Sequence, residues 1–178
     1  QARMLSAACA AGEEAYTLSI LALEDGGFAA PGALRVTGVD VDPAALERAV
    51  RPGTAVVSVM HANNEIGNLL DIQAVGELAE KYHAYFHSDT VQAVGHYRHD
   101  LAKIKVHGMT AAAHKFHGPK GVGFKFIRKD KKIQPFLFGG SQERNMRGGT
   151  ENVYGIIGLA KALEIAYRDM DEHATYIQ

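Results

Sequence analysis

With 178 residues, 47% of them hydrophobic and 22% charged, and a net charge of -1, the sequence has the composition of a globular protein and not that of a disordered or collagen-like chain. Its near-neutral charge implies neither a nucleic-acid nor a membrane partner, no apolar run approaches the roughly 20 residues needed to span a bilayer, and a cytoplasmic location is expected. The single cysteine, Cys9, excludes an internal disulfide framework and a cysteine-rich metal site, and among small residues it reads as a buried small hydrophobe.

In chain order, a short strand ending near Cys9 leads through Gly12-Glu13-Glu14 to a helix over residues 15–24, where Tyr16, Ser19, Ile20 and Leu23 recur at helical spacing. After the Pro31-Gly32 turn, residues 34–39 read as a strand closed by Asp40-Val41-Asp42, and residues 43–50 as a helix with proline at its first position. Residues 55–60 read as an apolar run suited to a strand buried on both faces. Residues 71–83 read as an amphipathic helix, 84–88 and 109–113 as strands, and 121–128 as a more exposed strand. Gly139-Gly140 reads as a mobile turn, and residues 151 to about 173 as one long closing helix. This alternation predicts an α/β fold with a mainly parallel sheet flanked by helices.

The composition breaks near residue 53. Every lysine lies at Lys81 or later and every histidine at His61 or later, whereas the first 53 residues are alanine-rich and use arginine alone for positive charge. Two units are therefore expected, residues 1–50 and residues 51–178, either joined as segments of different origin or packed as one α/β unit.

Polar residues just after apolar strands draw attention first, because parallel strands gather functional groups at their C-terminal ends. The strand over 55–60 delivers His61-Ala62-Asn63-Asn64-Glu65, the strand over 84–88 delivers Asp89 and Gln92, and the strand over 109–113 delivers His114-Lys115. Taken singly, Lys115 is a solvated charge and Asp89 a helix cap. As an ordered set they suit a pyridine-ring cofactor. A lysine forms an imine with its aldehyde, a carboxylate keeps its ring nitrogen protonated, and amides donate to its phenolic oxygen. His114 and His117, or His83 and His87, could ligate a metal by spacing alone, but without a cysteine or a further spaced pair no metal is expected.

Residues 57–67, 86–95, 113–123 and 139–150 together resemble successive motifs of the cysteine desulfurases, pyridoxal-phosphate (PLP) enzymes of the class V aminotransferase family with the type I fold; the match covers about residues 46–178. The resemblance implies sulfur removal from L-cysteine, giving alanine and a persulfide, with sulfur-acceptor proteins and a role in iron–sulfur cluster assembly. It implies Lys115 as the Schiff-base lysine, Asp89 at the pyridine nitrogen, and Gln92 and Asn64 at the phenolic oxygen. His114 would help hold the phosphate, and Thr150 would reach the phosphate of a partner subunit in a homodimer. The family's sulfur-carrying cysteine and its substrate-binding arginine belong further downstream than this chain extends, and Ala112 stands where the family often has a phosphate-binding serine. Incomplete activity from this chain alone is the expectation.

Residues 6–18, followed by Val39-Asp40-Val41-Asp42-Pro43 and Leu46-Glu47-Arg48-Ala49, are similar to CheR-type methyltransferases. That resemblance implies S-adenosylmethionine held by Gly12, Glu13 and Asp40, with the glycine admitting the ligand and the acid accepting from ribose hydroxyls. A non-catalytic α/β remnant is the third reading.

Overall fold

A computed structural model of the protein describes residues 2–7, 34–39, 43–131 and 133–177. The helix expected over 15–24, Cys9, and the proposed ligand residues Gly12, Glu13 and Asp40 lie outside the described residues. Six strands, β1 (Ala2–Ala7), β2 (Leu34–Val39), β3 (Thr54–Met60), β4 (Tyr85–Asp89), β5 (Gly108–Ala112) and β6 (Gly123–Ile127), form one sheet in the order β2-β1-β3-β4-β5-β6. All neighbours run parallel except β6, which is antiparallel to β5. The mainly parallel α/β fold read from the sequence is the one observed. β1 lies between β2 and β3, so the first 50 residues contribute two strands to the sheet that carries the later motifs.

Among the described residues, four helices of at least 7 residues accompany the sheet: α1 (Pro43–Ala49), α2 (Ile72–Lys81), α3 (Val153–Arg168) and α4 (Met170–Ile177). α2 starts where Asp71 Oδ1 accepts from the backbone N–H groups of Gln73 and Ala74, at 3.0 and 3.1 Å, which satisfies two otherwise orphaned donors. Ile72, Val75, Gly76 and Ala79 recur on one face, and that face is buried. Gly76 permits a close approach, since a Cβ there would lie 3.0 Å from the Lys105 Cβ. Buried residues of α1, α2 and α3, among them Leu46, Val75 and Leu159, join Val57, Val59, Phe86, Met109 and Ala111 of the sheet in one core.

Two expectations are corrected. The apolar run over 55–60 is not buried on both faces: Val57 and Val59 are buried, Val56, Ser58 and Met60 are half-buried, and Ala55 is exposed. The less buried face is polar, because Ser58 Oγ meets His87 Nδ1 at 2.9 Å and Thr110 Oγ1 meets His87 Nε2 at 3.4 Å across three adjacent strands. The long closing helix is two helices broken at Asp169, whose backbone leaves helical geometry at φ -100°, ψ 9°. Asp169 takes the Arg168 guanidinium on both oxygens, at 2.6 and 2.7 Å, and the break lets Met170 at the head of α4 enter the interior.

Candidate active site

The C-terminal ends of β3, β4 and β5 lie side by side. Met60 is registered with Asp89 and Asp89 with Thr110, and the His61 N–H donates to the Asp89 carbonyl at 2.8 Å. Alternation along β4 puts Asp89 on the half-buried face with His87, while Phe86 and Ser88 point into the core. One Asp89 oxygen, Oδ1, accepts from the Val91 N–H at 2.9 Å, which orients the carboxylate, and its second oxygen has no hydrogen bond among the described residues.

The loop after β3 is built by Asn63, not Asn64. Asn63 is buried, and its Oδ1 accepts from the N–H groups of Glu65 and Ile66 at 2.8 and 3.0 Å, a side-chain-closed turn that asparagine favours. Backbone bonds from Asn63 to Asn68 and from Leu70 to His61 pinch the loop shut. Asn64 is left exposed on the turn, with its amide unbonded among the described residues.

Lys115 sits in a single 3-10 turn, Ala113–Phe116, directly after β5. His117 ends that turn in the left-handed region at φ 64°, and the Gly118 N–H returns to the Ala113 carbonyl. The Gln92 turn packs against this element. Gly95, at φ +86°, lies so near that a Cβ would come within 2.7 Å of the Phe116 Cβ, and His96 Nε2 lies 3.1 Å from the Lys115 carbonyl. The turn that follows Asp89 and Gln92 is thus packed against the Lys115 turn. Lys115 is half-buried and makes no ion pair among the described residues, and the side chains of Gln92 and His114 make no hydrogen bond there.

Thr150 is exposed at the end of a separate loop. Glu143, Arg144 and Asn145 all take positive φ, at 48°, 58° and 65°, and the chain returns so that the Gly148 N–H reaches the Leu137 carbonyl at 2.8 Å. Gly139 therefore does more than allow a turn: a Cβ on Gly148 would sit 2.8 Å from the Gly139 Cα, a backbone crossing that only glycine tolerates.

Of the histidine pairs weighed for metal, His87 is committed to Ser58 and Thr110 and its burial lowers its pKa, while His83 is exposed. No group of three metal-ligating side chains occurs among the described residues.

The aminotransferase class-V family model matches residues 29–177. The chain belongs to this family. A cysteine desulfurase IscS of Dictyoglomus turgidum is 52% identical over 132 residues, 74% of this chain and 34% of that protein. A cysteine desulfurase IscS of Methanosarcina thermophila is 48% identical over 132 residues, 74% of this chain and 33% of the relative. A solved NifS-like protein superposes with a TM-score of 0.85 at 36% identity, over 98% of this chain and 48% of its own. The class-V chain described here thus spans about a third of the length of the curated relatives it matches. PLP is the cofactor of this class-V group, and the donor set fits it: an anchored carboxylate with one oxygen open, a lysine without an ion pair and two amides without a hydrogen bond, all among the described residues.

Sequence reading singled out Asn64, Asp89, Gln92, His114 and Lys115 and passed over Asn63 and His61, whose bonds close the first loop, and His99, which meets His61. The Asn63-Asn64 doublet carried a usable signal, since asparagine closing a turn on its own backbone is a recurrent motif. His99, 38 positions from His61, had none.

Proposed function

We propose that this chain is the cofactor-binding part of a PLP-dependent cysteine desulfurase acting on L-cysteine, with alanine and a protein-bound persulfide as products. The observation that carries the proposal is the uncommitted Lys115 on the turn after β5, packed beside the Asp89 turn. When bound, PLP supplies an electron sink for bonds at the substrate α-carbon. Lys115 gives the amine that bonds the cofactor aldehyde. Asp89, oriented by Val91 N–H, holds the ring nitrogen's proton, and Asn64 and Gln92 donate to the phenolic oxygen. His114 and, across a homodimer, Thr150 bind phosphate. The apolar side chains Phe136, Phe138, Val153, Tyr154 and Ile157, exposed on both sides of Thr150 in the sequence, support pairing with a second copy.

Borohydride reduction of the PLP-treated chain followed by peptide mapping is expected to place the adduct on Lys115 and to show none there in Lys115→Ala. An adduct spread over surface lysines would overturn the proposal. Cys9 precedes the site in the chain and no other cysteine is present, so cofactor capture without desulfuration is the expected behaviour. Alanine formation from cysteine that disappears in Lys115→Ala would overturn that expectation.

One observation favours a second role for the first 50 residues. β1 and β2 are parallel neighbours, and in the sequence Gly12 follows the first and Asp40 the second, the order in which a nucleoside-type ligand meets a glycine and then an acid, although β2 and Asp40 also fall within the class-V match. S-adenosylmethionine binding through Gly12, Glu13 and Asp40 is the corresponding proposal. Calorimetry without heat for this ligand and its demethylated product would remove it.

A further inference from the structure

Asp89 is registered with Thr110 on β5, and the chain runs on from β5 into the Lys115 turn. The two segments are tied twice. Just after Asp89, the fully buried Thr90 gives both its N–H and its hydroxyl to the Thr110 carbonyl, at 3.0 and 2.8 Å. At the far end of the same turn, His96 Nε2 lies 3.1 Å from the Lys115 carbonyl. A carbonyl only accepts, so Nε2 carries the hydrogen and His96 is the donor. Between the ties, the N–H groups of Ala93 and Val94 close the turn on the Thr90 carbonyl, each at 2.9 Å.

The Lys115 carbonyl needs such a partner. A single 3-10 turn leaves its last carbonyls without an internal donor, and the N–H groups of His117 and Gly118 both pass over Lys115 to the Ala113 carbonyl. Among the described residues, His96 is the donor that reaches it. Packing holds the same segments in contact, since a Cβ on Gly95 would come within 2.7 Å of the Phe116 Cβ and 3.4 Å of the Ala166 Cβ on α3. α3 closes on the turn as well: a Cβ on Gly118 would lie 3.2 Å from the Ala162 Cβ, and one on Gly158 would lie 2.6 Å from the Pro119 Cγ.

We propose that His96 is a positioning residue for Lys115, with Thr90 its counterpart beside Asp89, and that the two ties together set how far the backbone of the lysine stands from the carboxylate. Their bearing on catalysis rests on the reading of Asp89 and Lys115 as the groups that meet the ring nitrogen and the aldehyde of PLP. The ties themselves do not. A rigid ring holds its nitrogen and its aldehyde at a fixed separation, whereas a lysine side chain is a flexible four-carbon stem. Anchoring the backbone at Lys115 narrows the space its amine explores and raises its effective concentration at the aldehyde. The bond from His96 outlasts protonation of the ring, because the charged form also carries a hydrogen at Nε2. His96 is exposed, and a pocket of about 100 Å³ lined by Phe116, His117, Ala162 and His173 opens beside it, so its ring can be replaced without disturbing the core.

The test has two arms, both on the full chain. Without PLP, hydrogen exchange of the Gly118 amide, read by NMR, should quicken roughly two- to tenfold in His96→Leu, the effect of one lost hydrogen bond. His96→Gln, whose side-chain amide donates from the place of Nε2–H, should keep the exchange rate of the unmodified chain. With PLP, the concentration needed for half-maximal borohydride trapping on Lys115 should rise by a similar factor in His96→Leu and in Thr90→Val, and should not rise in His96→Gln or Thr90→Ser. Affinity for pyridoxine phosphate, whose alcohol cannot bond the lysine, should be unchanged in all four variants, a split that general loosening of the site would not give. Unchanged Gly118 exchange in His96→Leu, no rescue by His96→Gln, or a parallel loss of both ligands would overturn the positioning role. Absence of any adduct on Lys115 in the unmodified chain would instead overturn the desulfurase reading, and the exchange arm would still decide whether His96 holds the turn.

Discussion

The two edges of the central sheet hold polar groups in opposite states. At the N-terminal edge of β3, β4 and β5, a cavity of about 650 Å³ is lined by Lys103, Lys105, His107, Arg128 and Lys131, and its cations are committed. Lys105 pairs with Glu80, Lys103 with Asp100, Lys131 with Asp130, and Arg128 donates to the carbonyls of Val106, Leu101 and Ile104. At the C-terminal edge, Asn64, Gln92, Lys115 and one oxygen of Asp89 have no internal partner among the described residues. Volume marks where the chain leaves space. An uncommitted donor or acceptor can be given to a ligand, whereas a paired one must first be released.

The sharpest way to break this comparison is Asp89→Ala. Loss of a hydrogen bond to a charged group, about 1.5–3 kcal/mol, should weaken PLP binding about 10- to 100-fold in a spectroscopic titration while the melting temperature changes little. Unaltered PLP affinity would mean that the C-terminal edge is not the site. At the opposite edge, Arg128→Met should lower stability by about 1–3 kcal/mol in denaturant unfolding, because three carbonyls lose their donor, and should leave PLP affinity as it was. A smaller effect separates the adjacent asparagines. Asn63→Ala should cost about 1 kcal/mol of stability by releasing the Glu65 and Ile66 N–H groups, whereas Asn64→Ala should alter the bound cofactor's absorption with no loss of stability. The least effect is expected at Ser88, whose Oγ is fully buried with no hydrogen-bond partner among the described residues. Ser88→Ala should be neutral or stabilising by up to about 1 kcal/mol, and a clear loss of stability would reveal an unrecognised partner for that hydroxyl.

The parts legible in the sequence were those governed by local rules. α1 begins at Pro43 as read, Asp71 caps α2 within one residue of its expected start, and Asp89 and Lys115 fall at strand ends where alternating β and α elements must put them. The readings that failed needed non-local information. An apolar run such as 55–60 does not say what covers its second face, and that face proved to carry the Ser58, His87 and Thr110 line. Helical periodicity continued through Asp169, yet the backbone breaks there as Met170 turns into the core.

By itself, then, the sequence determined the α/β class and the order of the motifs, because periodicity, capping and residue type are written along the chain, and it singled out Asn64, Asp89, Gln92 and Lys115 by residue type and place. Tertiary structure alone decided which asparagine builds the loop and which faces outward, which basic residues are already paired, and that His61 meets His99 across 38 positions. Those outcomes depend on strand order and on which surfaces fold against one another. Local sequence carries no measure of either.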